Sequence, residues 1–417
     1  MAIETRTNVT GLRCVKCGTH YEERPDLYTC PACGIEGILD VEYDYEQVRR
    51  ELNKETLASD RRQSIWRYLP VLPVGRSVRL PTLQLGRTPI YDAPAFAREL
   101  GLGGLLIKDD TRNPTGSFKD RASAIGVTKA AELGRDTISV ASTGNAASSL
   151  AGFAANMGLR AFIFVPETAP EAKVTQLLVY GATVFTVQGS YDQAYYLAME
   201  AAAEFGWYNR NCAINAYLVE GKKTCGLEVG EQLQDNMADW LAVAVGDGCT
   251  IAGIWKGLVE MQKLGVLNRL PSLLGVQAEG AAPIYECFTT GEPLKPVQAN
   301  TLADSIAVGQ PRNTTKALRA VQASGGAYVK VSDEAILAAI PRLARATGVF
   351  AEPAGVTSLA GVIAARESGL IAAHERVIVV ATGNGLKDIK GARRAVGQPF
   401  SIAPKLDDVR AALESRG

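Results

Sequence analysis

The segment Leu241-Ala-Val-Ala-Val-Gly-Asp-Gly-Cys-Thr250 decides the architecture. Five apolar residues, strand-length and apolar on both faces, run into a Gly-Asp-Gly turn, and IAGIWKGLVEM follows with helical character. The same phrase occurs twice more. TISVA at 137–141 leads through Ser142-Thr-Gly-Asn145 into an Ala-rich helix expected over 146–157, and VIVVA at 377–381 leads into Thr382-Gly-Asn-Gly-Leu386. Further strand-length apolar runs lie at 105–107, 161–165, 183–187 and 273–277, with helical stretches such as 169–180 and 191–205 between them. Short β-branched runs spaced by helices specify a parallel sheet covered on both faces. The fold class is α/β, with two lobes and a cleft between them. In such folds ligands bind at the carboxyl ends of strands, where a glycine-containing loop opens a helix. One such turn is ordinarily plain structure; three together point to a phosphate-bearing ligand. None of them matches a Walker loop or the GxGxxG pattern.

The 417-residue length suits two or three domains, and 47% hydrophobic content supplies sizeable cores. Lys+Arg and Asp+Glu both number 44, so the basic excess of a nucleic-acid or acidic-membrane surface is lacking. His20 and His374 are the only histidines, which argues against a histidine relay or a histidine-rich metal centre. The opening MAIETRTNVT lacks a charged start followed by an apolar core, so no signal peptide is expected. No apolar run approaches the ~20 residues that a bilayer demands. With no disulfide framework in view, a reducing cytoplasm is the expected setting.

Cys14-Val-Lys-Cys17 and Cys30-Pro-Ala-Cys33 are two CxxC pairs separated by twelve residues. Each pair can present two thiolates on one knuckle, and two knuckles close a tetrahedral structural Zn2+ site with no open position. Redox pairs or four unrelated thiols are the plainer alternatives. Gly18 and Gly34 follow the pairs where the chain must turn. Glu22, Glu23, Asp26, Glu36 and Asp40 make this segment acidic, against nucleic-acid binding. Beyond it, YEQVRRELNKE reads as a helical connector and SIWRYLPVLP as an aromatic arm laid over the main body. Cys212, Cys225 and Cys287 are expected as buried small apolar residues, and Cys249 as an inert thiol.

Asn113-Pro-Thr-Gly-Ser-Phe-Lys-Asp-Arg121 lies between a strand and a helix. Pro114 and Gly116 mark a turn and Ser117 is a candidate N-cap, which places Lys119 in the first helical turn. The positive end of the macrodipole there depresses a lysine pKa and favours the neutral amine that a Schiff base needs. A solvated lysine on a helix is the usual alternative.

NPTGSFKDR, ASTGN, EPAG and TGNGLKD, in this order and with the cysteine ribbon, resemble the threonine synthase family. More broadly they resemble the pyridoxal 5'-phosphate (PLP) enzymes built like the tryptophan synthase β chain, over about residues 12–396. The resemblance implies a two-lobed, three-layer α/β/α fold behind a zinc ribbon. It divides the chain into a ribbon (1–45), connector, arm and start of the PLP-binding lobe (46–130), a smaller lobe (131–229) and the large lobe (230–417). It implies Lys119 as the Schiff-base lysine, and Asn145 facing the 3′-oxygen of PLP. Gly246, Asp247, Gly248, Cys249 and Thr250 would cradle its phosphate, and Thr382 would meet the pyridine nitrogen. Ser142 and Thr143 would border the substrate carboxylate. A hydroxyl beside the pyridine nitrogen leaves it largely unprotonated and favours elimination or replacement over transamination. The family reaction converts O-phospho-L-homoserine and water to L-threonine and phosphate, in a homodimer whose arm SIWRYLP would be placed to cover a neighbour.

The family pattern that holds the substrate phosphate is altered here. Its Asn-Ser pair has become Cys212-Ala213 and its arginine Leu218; a threonine has become Ala146, and Asp247 stands where a neutral amide is usual. Losing a charged contact of that kind costs on the order of 1.5–3 kcal/mol. Lys222 or Arg210 would restore part of it. These departures raise an alternative: a relative acting on an unphosphorylated amino acid, as a serine/threonine dehydratase or a β-replacement synthase. A ligand-sensing protein that only keeps the fold is opposed by the intact Lys119, Asn145 and Thr382.

Overall fold

The computed structural model describes residues 7–415 apart from 168, 170 and 190. The first six residues, part of the stretch read for a leader, lie outside the described residues.

Three sheets organise the chain. A small antiparallel sheet in the order β2-β1-β3 is built from β1 (Val9–Cys14), β2 (His20–Tyr21) and β3 (Leu39–Tyr43). A six-stranded sheet uses β4 (Ile90–Asp92), β5 (Gly104–Asp109), β10 (Trp240–Ala244), β11 (Ser272–Ala278), β12 (Ala327–Val331) and β13 (Arg376–Ala381). Its order is β12-β11-β10-β13-β5-β4, and only β4 runs antiparallel. A four-stranded parallel sheet, order β8-β7-β6-β9, uses β6 (Thr137–Ala141), β7 (Arg160–Pro166), β8 (Thr183–Val187) and β9 (Tyr208–Asn209). Every strand expected from an apolar run is present. The unexpected ones are short or amphipathic: β9 has two residues, and β12 (AYVKV) is an edge strand with a lysine in its run.

β10 and β13 are neighbours at the centre of the large sheet, and β10 is buried at all five positions. The loops after β5, β10 and β13 therefore open on one edge of that sheet. The helices Ala216–Leu233 and Cys249–Lys263 cross in close contact through glycines. A Cβ on Gly257 would stand 2.2 Å from the Lys223 carbonyl oxygen, and one on Gly226 would stand 2.1 Å from that of Ile254. Gly257→Ala is expected to cost about 1–3 kcal/mol or more, measured as an earlier thermal unfolding midpoint.

The Lys119–Glu132 helix is clamped by buried ions. Arg121, fully buried, bonds both Asp110 (2.6 Å) and Glu228 (2.7 Å), and Lys108 bonds Glu228 at 2.8 Å. Each charge is paired, so removing one partner would strand the other in the core.

The connector is two helices, not one. Tyr45–Glu51 ends and Lys54–Ser59 begins because the Asn53 side chain accepts from the Glu55 and Thr56 amides as a new N-cap. The arm forms the 3-10 segment Ile65–Val71, with Ile65, Trp66, Tyr68 and Val71 buried in the core of the same chain. The arm is thus laid over the main body of its own chain, as its sequence suggests. Three of the acidic residues near the cysteines have partners on the body, while Glu36 pairs with Lys16 within the ribbon. Asp40 meets Lys256 (3.1 Å) and Lys316 (2.9 Å), Glu23 meets Lys129 (3.2 Å), and Asp26 meets Arg135 (3.1 Å).

Candidate active site

One cavity of about 820 Å³ gathers Lys119, Ser142, Thr143, Asn145, the loop 246–250 and Thr382. The side chains come from both larger sheets, so the cavity lies between them. Lys119 is placed by a strap: the Phe118 amide donates to the Thr382 carbonyl at 2.8 Å, and Ser117 and Gly383 form a β-bridge. Gly116, at φ 81°, closes the preceding turn onto Asn113. Ser117 is not the N-cap. Phe118 holds that position without a side-chain cap. The Asp120 carboxylate reaches back to the Thr115 amide (2.7 Å) and hydroxyl (2.5 Å), which ties the turn instead. Ser117 Oγ is left buried and unpartnered.

Lys119 lies at the cavity wall with its pKa lowered to about 8. Burial is the main cause, and the nearby Lys222 and Arg210 charges add to it. Surrounding groups thus supply the effect anticipated from the helix dipole. Because the ammonium is disfavoured, the neutral amine grows as pH approaches 8. Cofactor loading of the apo protein should rise up to about pH 8 and then flatten, followed by visible absorbance. A rise continuing towards the ordinary lysine value of ~10.4 would contradict it.

The Cys249–Lys263 helix starts after Gly248, which adopts φ 88°, and no side chain caps it. Its first N–H groups are therefore available to an anion in the cavity, where Gly246 to Ile251 form the wall. These residues and Lys119 fit the phosphate and aldehyde of PLP. Asp247 does not cap this helix. Its carboxylate accepts from the Arg312 amide at 2.6 Å, fastening the 309–313 turn over the cavity. Burial pushes the Asp247 carboxyl up.

Asn145 donates to Glu352 Oε1 at 2.6 Å and to Ser305 Oγ at 3.2 Å. Glu352 had no assigned role in the sequence, although EPAG marked its position; burial raises its pKa and it faces Lys119 electrostatically. Gly383 makes room for the pair, since a Cβ there would stand 2.2 Å from Glu352 Oε1. The segment 296–312, which lines the cavity from Pro296 to Arg312, was also unanticipated, because its turns carry no periodic pattern.

Arg210 and Lys222 are buried in the same wall, at 2% and 3% exposure, and form no ion pair among the described residues. Arg210 donates to Ser123 Oγ at 3.1 Å, and Lys222 faces Cys212 electrostatically. Leu218 is fully buried and does not border the cavity; it lies beside Gly126, next to the Arg210 stem. Ala146, Cys212, Ala213 and Asp247 do border it. Cys212 is thus half-buried at the wall, not a core residue as expected, whereas Cys225 is in the core; Cys287 is half-buried.

Away from the cavity, the sulfurs of Cys14, Cys17, Cys30 and Cys33 lie within 4.8 Å of one another. Gly18 and Gly34 turn at φ 77° and 62° beside them. The donor set and its convergence fit a four-thiolate metal ion.

Residues 81–383 match the family described as pyridoxal-phosphate dependent enzyme. The fold agrees with solved structures of that kind. Tomato (Solanum lycopersicum) threonine deaminase isoform 2 aligns with a TM-score of 0.64 at 23% identity, over 74% of this chain and 83% of its own. Maize serine racemase aligns with a TM-score of 0.62 at 20% identity, over 79% and 94%. Sequence relatives narrow the class. A threonine synthase of Methanocaldococcus jannaschii is 40% identical over 94% of this chain and 96% of its own length. One from Methanosarcina acetivorans is 38% identical over 96% and 98%. The chain belongs to the threonine synthase family and is a PLP-dependent lyase. Among the described residues, no helix is long and apolar enough to cross a membrane.

Proposed function

We propose that this chain converts O-phospho-L-homoserine and water to L-threonine and phosphate, a carbon–oxygen lyase step of amino-acid biosynthesis. The observation that carries this is the second cationic place in the cavity. The uncapped helix start at Cys249 serves one phosphate, and the buried, carboxylate-free Arg210 and Lys222 serve another. An unphosphorylated substrate would leave two buried cations with at most the Cys212 thiolate between them and no carboxylate or phosphate partner. Of the four departures that raised that alternative, Leu218 lies behind the wall while Arg210 fronts it, and Ala146, Cys212-Ala213 and Asp247 line the cavity.

Bound PLP supplies an electron sink for a carbanion formed on the substrate. Lys119 would hold it as the Schiff-base lysine, and as a free amine its Nζ can take and return protons. The amides of 246–250 hold the cofactor phosphate. Asn145, oriented by Glu352, would hold the 3′-oxygen side of the cofactor, and the neutral hydroxyl of Thr382 would lie toward its ring nitrogen. Ser142 and Thr143 receive the substrate carboxylate. Asp247 holds the 309–313 turn closed above the site.

The test is incubation with O-phosphohomoserine. Threonine and phosphate in equal amounts support the reading. A 2-oxo acid from serine or threonine, with the phosphorylated substrate untouched, moves the assignment to a dehydratase.

We also propose that the four converged cysteines hold a structural Zn2+. Native mass spectrometry should find one ion per chain. Its removal by a strong chelator should loosen residues 9–43 in hydrogen exchange, because a closed thiolate site contributes folding energy directly. The division at 45, 130 and 229 is supported by the three sheets, which draw on 9–43, on 137–209, and on 90–109 with 240–381. A cytoplasmic homodimer completes the proposal, on the strength of the family resemblance.

A further inference from the structure

Two thiols stand in the cavity wall without a part in that chemistry. Cys212 lies in the loop between β9 and the Ala216–Leu233 helix, and Cys249 is the first residue of the next long helix but one strand away. The two side chains pack in one small apolar cluster with Ala213 and Val219. Their surroundings differ. Cys212 is half-buried, open to the cavity, and flanked by Lys222 and Arg210, which favour its thiolate. Cys249 is buried, approaches the Asp247 carboxylate at 3.6 Å, and is kept protonated by that setting. An accessible thiolate in contact with a protonated thiol is the arrangement of an attacking and a resolving cysteine.

We propose that Cys212 and Cys249 form an oxidation-sensitive pair that hydrogen peroxide converts to a disulfide, reversibly closing the active site. The Cys212 sulfur attacks one peroxide oxygen, the O–O bond breaks, and hydroxide leaves to be protonated to water. Cys212 then carries S–OH. The Cys249 sulfur attacks the Cys212 sulfur, the S–OH bond breaks, and hydroxide departs as water with the Cys249 proton. Two thiols lose two electrons, and peroxide is reduced to two waters. The bond would tie the 210–215 loop to the first residue of the anion-binding helix, and remove the thiolate that Lys222 faces.

The experiment uses holoenzyme with its metal retained, treated with a small excess of hydrogen peroxide, acid-quenched and digested for mass spectrometry. The expected product is a Cys212–Cys249 linked peptide, lighter by two hydrogens and abolished by dithiothreitol. Cys249→Ser should stop at a sulfenic acid on Cys212 that dimedone traps. Without any substitution, iodoacetamide at pH 7 should label Cys212 about tenfold or more faster than half-buried Cys287, as a thiolate outpaces a thiol. Equal labelling rates, or peroxide that oxidises the ribbon cysteines while Cys212 stays reduced, would overturn the proposal. The peptide readout does not depend on the substrate, so it stands or falls separately from the assigned reaction.

Discussion

Lys119→Ala is expected to lose the visible absorbance of bound cofactor and to lower turnover by about 10³-fold or more. The cavity offers no substitute. Burial lowers the Lys222 pKa, but the neighbouring Cys212 and Cys249 outweigh it and raise it overall, so Lys222 stays protonated. Lys387 donates to the Thr115 carbonyl (2.9 Å) and to Ser148 Oγ (3.1 Å), and it does not line the cavity. Lys119→Arg should fail equally, because a guanidinium keeps the charge but supplies no neutral amine. With a pKa of about 8, Lys119 has a neutral fraction at pH 7 on the order of 200-fold above that of an ordinary lysine. That difference makes it the reactive amine. Borohydride reduction followed by peptide mapping checks the assignment: the cofactor should be found on Lys119. Recovery of the label on Lys222 would refute it.

The α/β class and the strand–loop–helix units were legible because buried parallel strands have to be apolar on both faces, a pattern that survives in five residues such as LAVAV. The cavity loops at 142–145, 246–250 and 382–385 were legible for the same reason: each directly follows such a strand. What escaped was everything fixed by long-range contact. Ser117 has the composition of an N-cap, yet Asp120 takes over the turn by bonding Thr115. Asp247 precedes a helix but is turned to the Arg312 amide 65 residues away. The acidic residues beside the cysteines register in the sequence only as charge against nucleic-acid binding, whereas Asp40 meets two lysines more than 200 residues later. Leu218 was compared with an arginine position by position, although the charge in the wall is contributed by Arg210, eight residues earlier. Spacing reads local geometry; it cannot tell which side chain fills a space bounded by several elements.

The same wall yields the second large effect. Lys222→Met should lower kcat/KM for O-phosphohomoserine by about 10- to 100-fold, the equivalent of about 1.5–3 kcal/mol for a lost charged contact. Arg210→Met should cost at least as much, since a guanidinium can offer two donors to one phosphate. Cofactor absorbance should persist in both variants, because the helix start at Cys249 and Lys119 are untouched. The Lys222 variant carries an internal check. Its ammonium is, after burial, the foremost influence lowering the Lys119 pKa, so Lys222→Met should move the Lys119 titration upward. Cofactor loading would then reach its plateau at a higher pH than in the parent. A loss of kcat/KM confined to the phosphorylated substrate, together with that upward shift, places Lys222 between the substrate phosphate and the lysine. Equal losses on serine or threonine, with the pH profile unmoved, would mean that the residue only supports the wall and that the substrate phosphate is held elsewhere.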